Sequence, residues 1–168
     1  DATYDGNENV YDYFIKVVTD TKIPFLYIPG DSDLRCLESK GCIKEKASEC
    51  RNVLNGISIF AINDCDKTIS KKHLAELDSA DDNSIVFMHH PLKAHRQEEC
   101  HELIKWRKRH TDVMVFHGHL QNSKTEINSV SLQAMGPDEA VGENPCITYY
   151  DTDTKELRKA YYFSAVPT

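Results

Sequence analysis

The sequence has no long apolar run, and this absence excludes a membrane-spanning helix within it. No stretch approaches the roughly 20 consecutive apolar residues that a transmembrane helix needs. The net charge of −7 and the pI near 5.6 argue against a surface built to bind the phosphate backbone of nucleic acid. The opening residues are not a signal peptide, so we expect any targeting segment to lie outside this stretch of sequence. With 168 residues, 40% of them hydrophobic, the chain is expected to fold as one globular domain.

The six cysteines lack the CxxC spacing that zinc ribbons and thioredoxin-like sites use. Four of them lie between residues 36 and 65, in or beside the least periodic segment of the chain. An even number of cysteines around an irregular loop is typical of disulfide bonds, and hence of a secreted protein or another oxidising compartment. Reduced cysteines in a cytoplasmic protein are the alternative. No N-x-Ser/Thr sequon is present to decide between them.

Hydrophobic periodicity predicts three helices. They cover about residues 8–20, a short segment starting near Ser70, and about residues 96–109. Ser70 is a candidate N-cap for the second helix. The basic run at 105–110 lies at the end of the third helix, where cations favour the helix dipole, and it is interpreted as a solvated face.

Short apolar runs predict the strands. The run at 84–88 is apolar enough for a central strand covered on both faces, and Pro91 must end it because proline cannot donate to a ladder. The other predicted strands are 23–28, 57–62 and 113–116, followed by antiparallel strands at 125–134, 146–151 and 157–164. Residues 34–56 look like an inserted surface segment that contains cysteines.

Asp or His follows three of the predicted strands at the point where each strand ends. Asp31 lies in the turn after the first, His89 and His90 follow the central strand, and His119 follows the next. Such residues often serve only as turn formers or hydrogen-bonded bystanders. If the strands share one sheet, however, these loops meet at its carboxyl edge, where α/β proteins bind ligands. Carboxylate and imidazole ligands together suit zinc, iron and manganese.

The three strand-end motifs resemble signatures of the calcineurin-like metallophosphoesterases. They are GDSD at 30–33, HHP at 89–91 and GHLQ at 118–121, where the family usually has GNHD, HHP and GHxH. The resemblance implies an α/β fold, a β-sandwich flanked by helices, in a single domain over residues 1–168 with an insertion at 34–56. The family's first motif, D-x-H, is absent, so the first strand-helix-strand unit is expected to be missing from this sequence: either the chain is a fragment of a longer protein, or it lacks half of one metal site.

The resemblance implies four metal ligands. Asp31 stands at the asparagine of GNHD, His89 is the first histidine of HHP, and His119 is the first histidine of GHxH. Asp1, together with Asp5, looks like the remainder of the GDxxD motif whose aspartate bridges two metals, although the spacing here is one residue longer.

Two departures from the family bear on catalysis. Ser32 replaces the GNHD histidine that protonates the leaving group, and a serine hydroxyl cannot act as an acid near neutral pH. Gln121 replaces the second histidine of GHxH and is a poorer metal ligand. Ser32 and His90 are the candidates for contact with a substrate phosphate.

The resemblance implies a metal-dependent phosphoester hydrolase, either a phosphatase or a phosphodiesterase. Divalent manganese, iron or zinc would activate a hydroxide, and the partner would be a phosphorylated small molecule or another phosphoester. The alternative is a degenerate domain that keeps the fold and binds a ligand or a protein without turnover. A third hypothesis is a disulfide-rich interaction domain that acts through residues 34–56.

Overall fold

The computed structural model describes residues 1–35, 46–48, 50–120, 124–126, 128–132 and 146–161. The helices in these ranges are α1 (Glu8–Asp20), α2 (Lys71–Leu77) and α3 (Gln97–Arg109). The strands are β1 (Arg51–Leu54), β2 (Ile57–Ile62), β3 (Ser84–Met88), β4 (Met114–His117), β5 (Lys124–Glu126), β6 (Ser129–Ser131), β7 (Cys146–Tyr150) and β8 (Leu157–Tyr161). None of the described helices is long and apolar enough to cross a membrane.

Strands β1 to β6 form one mixed sheet in the order β1-β2-β3-β4-β6-β5. The four inner strands run parallel, and β1 and β5 add antiparallel edges. Strands β7 and β8 form a separate antiparallel hairpin. The mixed α/β class predicted from the sequence is confirmed. Because the inner strands are parallel, their carboxyl ends lie along one edge of the sheet.

The two faces of β3 pack against different layers. Val86 lies in a core cluster with Leu103 and Trp106 of α3, whereas Ile85 lies in a second cluster that includes Tyr150 of the β7–β8 hairpin. Successive side chains of a strand alternate between faces, so helices cover one face and the hairpin covers the other. The apolar character of this strand follows from burial on both sides.

Side-chain caps begin α1 and α2. Asn7 caps α1, its side-chain oxygen accepting the N–H groups of Asn9 and Val10. Ser70 caps α2 as predicted, and its hydroxyl accepts the N–H of His73 at 3.1 Å. These caps satisfy N–H groups that have no partner within the helix.

The segment at 23–28 is not a strand, contrary to the sequence prediction. Its backbone instead contacts one distant residue: the Tyr27 N–H donates to the Ser48 hydroxyl at 2.7 Å, and the Ser48 N–H donates to the Tyr27 carbonyl at 2.9 Å. Ile23 is 68% exposed. An apolar run predicts burial, but a strand also needs a neighbouring backbone with which to form a ladder.

Two further features of the sheet involve predicted segments. Strand β1 lies within the segment 34–56 that is predicted as an insertion, and it pairs with β2 at the edge of the main sheet. The antiparallel strand predicted at 125–134 contains two short strands, β5 and β6, which pair antiparallel with each other, whereas β6 pairs parallel to β4. The direction of a strand depends on its connections and cannot be read from its own residues.

The predicted disulfides are not seen among the described cysteines. No disulfide joins Cys50, Cys65, Cys100 and Cys146. Cys36 and Cys42 lie outside the described residues, and the oxidising compartment stays a prediction.

The thiols are expected to differ sharply in reactivity. Burial, together with the hydrogen bond to Glu76, raises the pKa of Cys50 to about 12, so almost no thiolate forms at mildly alkaline pH. We expect iodoacetamide to modify the half-buried Cys100 in the native protein and Cys50 only after unfolding. Peptide mass mapping with and without denaturant measures this, and rapid native modification of Cys50 would contradict its buried position.

Candidate metal centre

Three predicted ligands meet at the carboxyl edge of the sheet. His89 Nε2 lies 2.9 Å from Asp31 Oδ1 and 3.3 Å from His119 Nδ1. The third side of this triangle, from His119 Nδ1 to Asp31 Oδ1, is 3.1 Å. His89 follows β3 and His119 follows β4, so the parallel pairing of these strands brings the two imidazoles together.

His90 joins the same group. Its ligand atom and those of Asp31, His89 and His119 all lie within 4.8 Å of one another. The His90 ring is fully buried, and its Nδ1 lies 2.9 Å from the carbonyl oxygen of Asp64. A carbonyl oxygen only accepts, so Nδ1 carries the proton, and the neutral ring leaves a lone pair on Nε2. None of the described residues hydrogen-bonds to that Nε2.

This arrangement fits a metal ligand. Histidine ligands commonly donate their second ring N–H to a carbonyl or carboxylate, which fixes the tautomer and the direction of the ring. His90 has this orientation, and its buried Nε2 adjoins Asp31, His89 and His119. Three imidazoles and one carboxylate form a donor set suited to zinc, iron or manganese.

Asp64 organises the histidine loop and was not singled out from the sequence. Its two carboxylate oxygens accept the backbone N–H groups of His89 and His90, each at 2.8 Å, and Oδ2 also contacts His95 Nε2 at 3.0 Å. Burial opposes the charge, but hydrogen bonds to His90 and His95 outweigh it and hold the pKa of Asp64 well below its usual range. Asp64 comes two residues after β2, so the strand-end pattern that identified the other residues could have found it.

Asp1 and Ser32 lie beside the group. Asp1 Oδ2 is 3.7 Å from His89 Nε2, and Asp1 Oδ1 accepts the Ser32 N–H at 2.9 Å. The opening segment is held by buried Asp33, which accepts hydrogen bonds from both the N–H and the hydroxyl of Thr3. The predicted fourth ligand therefore adjoins the other three. Gln121 lies outside the described residues.

The charges of His89 and Asp31 are set by their surroundings. Burial lowers the pKa of His89 to about 4, so its imidazole is neutral near neutral pH and able to ligate a metal. Burial opposes the charge of Asp31, but its hydrogen bond with His89 outweighs this and lowers the pKa of the carboxyl group. The site thus combines an ionised oxygen donor with a neutral nitrogen donor.

His119 has a strained backbone. Its φ of 65° lies in the left-handed region, which is uncommon for a residue with a Cβ atom. The preceding Gly118 N–H donates to the His89 carbonyl at 3.0 Å, which ties this turn to the HHP loop. Strain of this kind persists where the surroundings fix a residue, and it is concentrated at functional sites.

Gly30 provides space that the site requires. A Cβ atom there would lie 1.9 Å from Asp1 Oδ1 and 2.5 Å from His89 Cε1, whereas at Gly118 the nearest atom would be the His89 carbonyl oxygen at 3.7 Å. We expect Gly30→Ala to lower the affinity for Mn²⁺ by at least about tenfold, the scale of a disturbed ligand environment. Gly118→Ala is the matched control, expected to stay near wild type. Equal effects in calorimetric titration would contradict this difference.

Comparison with known proteins gives one distant relationship. The chain is similar to a probable cyclic nucleotide phosphodiesterase from Fibrobacter succinogenes, with 31% identity over 100 residues. The match covers 54% of this chain and 39% of that protein, so it spans about two-fifths of the relative. No protein-family model matches the chain, and no solved structure matches it significantly. The match suggests a metallophosphoesterase-like relationship.

Proposed function

We propose that this chain is a metal-dependent phosphoester hydrolase of the metallophosphoesterase type. The observation that carries the proposal is the buried lone pair of His90 Nε2, which has no hydrogen-bond partner among the described residues and adjoins three further ligand atoms. An unsatisfied buried polar atom costs about 1–3 kcal/mol. A metal ion bound by these four residues would remove that cost. The distant similarity to a probable phosphodiesterase points to the same chemistry.

The proposal gives each residue a role. Asp31, His89, His90 and His119 hold the metal, and Asp1 extends the site toward a second ion. When bound, a divalent transition metal supplies Lewis-acid stabilisation of a phosphoester and lowers the pKa of water.

Other residues support this site in the proposal. Asp64 fixes the HHP loop, and Ser32 contacts the substrate phosphate. The fold that accompanies this function is a metallophosphoesterase-like sandwich in a single domain. The β7–β8 hairpin on the face of the main sheet opposite the helices supports that arrangement.

The experiment is hydrolysis of bis(p-nitrophenyl) phosphate and p-nitrophenyl phosphate with added Mn²⁺ or Zn²⁺. We expect turnover that a chelator abolishes and fresh metal restores. His89→Ala should be inactive, whereas His101→Ala, an exposed histidine on α3, should keep full activity. Bound metal without hydrolysis of either compound would favour the binding-module alternative over an enzyme.

Ser32 is expected to limit the range of leaving groups. Because a serine hydroxyl cannot donate a proton near neutral pH, esters whose leaving groups need protonation should react slowly. We expect Ser32→His to accelerate hydrolysis of an alkyl phosphoester by at least about tenfold, the low end for general acid catalysis. Its effect on p-nitrophenyl esters, which leave without protonation, should be small. Equal acceleration of both classes would argue against an acid role at this position.

A further inference from the structure

A cavity of about 340 Å³ opens beside the proposed metal centre. Its lining includes Pro91, which directly follows His90, and Leu120, which directly follows His119. The cavity is therefore bordered by both loops that carry the proposed histidine ligands. It lies on the helix-covered face of the sheet, because Ile104 of α3 also lines it.

Two polar residues of adjacent strands form one side of this cavity. His117 ends β4 and Ser131 ends β6, and the two are paired in the parallel register. Both are buried, with exposures of 8% and 2%. The Ser131 hydroxyl has no hydrogen-bond partner among the described residues. A buried polar atom without a partner is rare in a folded protein, and a ligand in the cavity would supply one.

The remaining walls are apolar and basic. Leu92, Ile104 and Leu120 provide apolar surface, and Lys93 and Lys108 add positive charge. No carboxylate is among the described residues that line the cavity, although the chain as a whole carries a net charge of −7. The ligand that suits such walls has an apolar body, a polar edge and a negative charge.

The basic run at the end of α3 contributes to this wall, and only part of it is the solvated face expected from the sequence. Trp106 within the run is 2% exposed. The guanidinium group of Arg107 donates to the carbonyls of Val113 and Asn128 at 2.6 and 3.0 Å, which ties α3 to the sheet. Lys108 and Lys105 are both exposed, but Lys108 lines the cavity, whereas Lys105 is not among its lining residues and pairs with Glu102. The two lysines thus form a matched pair for experiment.

We propose that this cavity binds the nucleobase of a nucleotide substrate, an inference that rests on the proposed phosphoesterase function. The apolar side chains contact the ring of the base, and Ser131 and His117 form hydrogen bonds with its polar edge. The phosphate then lies toward His90 and His119, where Lys93 favours its charge, whereas Lys108 lies at the other end of the cavity, beside the base. The cavity volume falls within the range of about 300–1,000 Å³ that small-molecule pockets occupy.

Equilibrium binding of adenosine monophosphate, followed by calorimetry, tests the inference separately from turnover. We expect Lys108→Ala to weaken binding several-fold and Lys105→Ala to leave it unchanged. Ile104→Trp, which fills the cavity, should weaken it by at least about tenfold, the scale of steric exclusion from an apolar pocket. No binding, or equal binding by wild type and both cavity variants, would overturn the inference. If Ile104→Trp does not fold, the comparison of Lys108→Ala with Lys105→Ala still tests the inference.

A second measurement separates this inference from the proposed function. For wild type and each variant, the KM of the p-nitrophenyl ester of thymidine monophosphate is compared with that of bis(p-nitrophenyl) phosphate. The cavity variants should raise the first KM by at least about tenfold and change the second by less than about twofold. Hydrolysis of both compounds with no cavity effect would reject the nucleobase pocket and leave the hydrolase intact. If the protein binds no metal and hydrolyses neither compound, the proposed function is rejected. The calorimetric binding of adenosine monophosphate then tests the nucleobase pocket by itself.

Discussion

Replacing His90 with alanine is expected to lower the affinity for Mn²⁺ or Zn²⁺ by at least about 100-fold, because loss of a supporting partner alone costs 10- to 100-fold. His90 Nε2 is buried beside the other three ligand atoms, and its Nδ1 is held by the Asp64 carbonyl at 2.9 Å. The ring therefore cannot turn away to satisfy itself elsewhere. Metal titration by calorimetry measures the loss, with His101→Ala as the matched control on exposed surface.

The same variant distinguishes the two roles considered for His90. If His90 contacts the substrate phosphate instead of the metal, His90→Ala will retain metal and raise the KM for a phosphoester. If it is a ligand, metal content and turnover will fall together. Thermal unfolding should also show that added Mn²⁺ stabilises the wild type and has little effect on the variant, since only binding to the folded state shifts stability.

Replacing Asp64 with alanine is expected to lower the free energy of unfolding by about 3–5 kcal/mol, the scale for breaking a buried charged network. Asp64 is fully buried and accepts the N–H groups of both His89 and His90. Its removal leaves two buried donors without an acceptor and frees the loop that carries them. Urea denaturation measures the change, and Asp82→Ala on the exposed surface should lie within about 0.5 kcal/mol of wild type.

The effect of Asp64 should depend on pH with a defined sign. Its pKa in the folded protein lies well below the ordinary carboxyl value of about 4. A group with a lowered folded pKa stabilises the protein above its unfolded pKa, and this contribution is lost as the pH falls toward the folded value. The stability difference between wild type and Asp64→Asn should therefore be largest near neutral pH and shrink below about pH 4. A difference that grows in acid would show that the carboxylate is not stabilised in the fold.

The main parts of the site could be predicted from the sequence because the end of an apolar run is easy to locate. Apolar runs that stop at Asp or His predicted that Asp31, His89 and His119 would lie together, and the structure places their ligand atoms within 3.3 Å of one another, although the run before Asp31 is not a strand. Asp64 follows the same pattern after β2, but it belongs to no short motif. Its contacts are with backbone N–H groups of residues 25 and 26 positions away, and long-range pairing of this kind leaves no periodic signal.

Other features depend on neighbours that a single segment does not specify. The apolar residues at 23–28 predicted a strand, but ladder formation requires a partner, and the described contacts of Tyr27 are with Ser48. The parallel direction of β6 is set by the chain connection and not by its three residues. The ligand geometry of His90 depends on one carbonyl oxygen that fixes its tautomer. Local patterns thus predict elements and strand ends, whereas pairing and tautomers are properties of the assembled fold.

The most direct test of the metal centre is the number of transition-metal ions per chain. Elemental analysis would be made on protein purified without chelators and then dialysed with excess Mn²⁺ or Zn²⁺. The proposed site predicts at least one ion per chain in wild type and in His101→Ala, and its loss in His90→Ala and His119→Ala. Wild-type protein that holds no metal under these conditions would contradict the proposed metal centre and the hydrolase built on it.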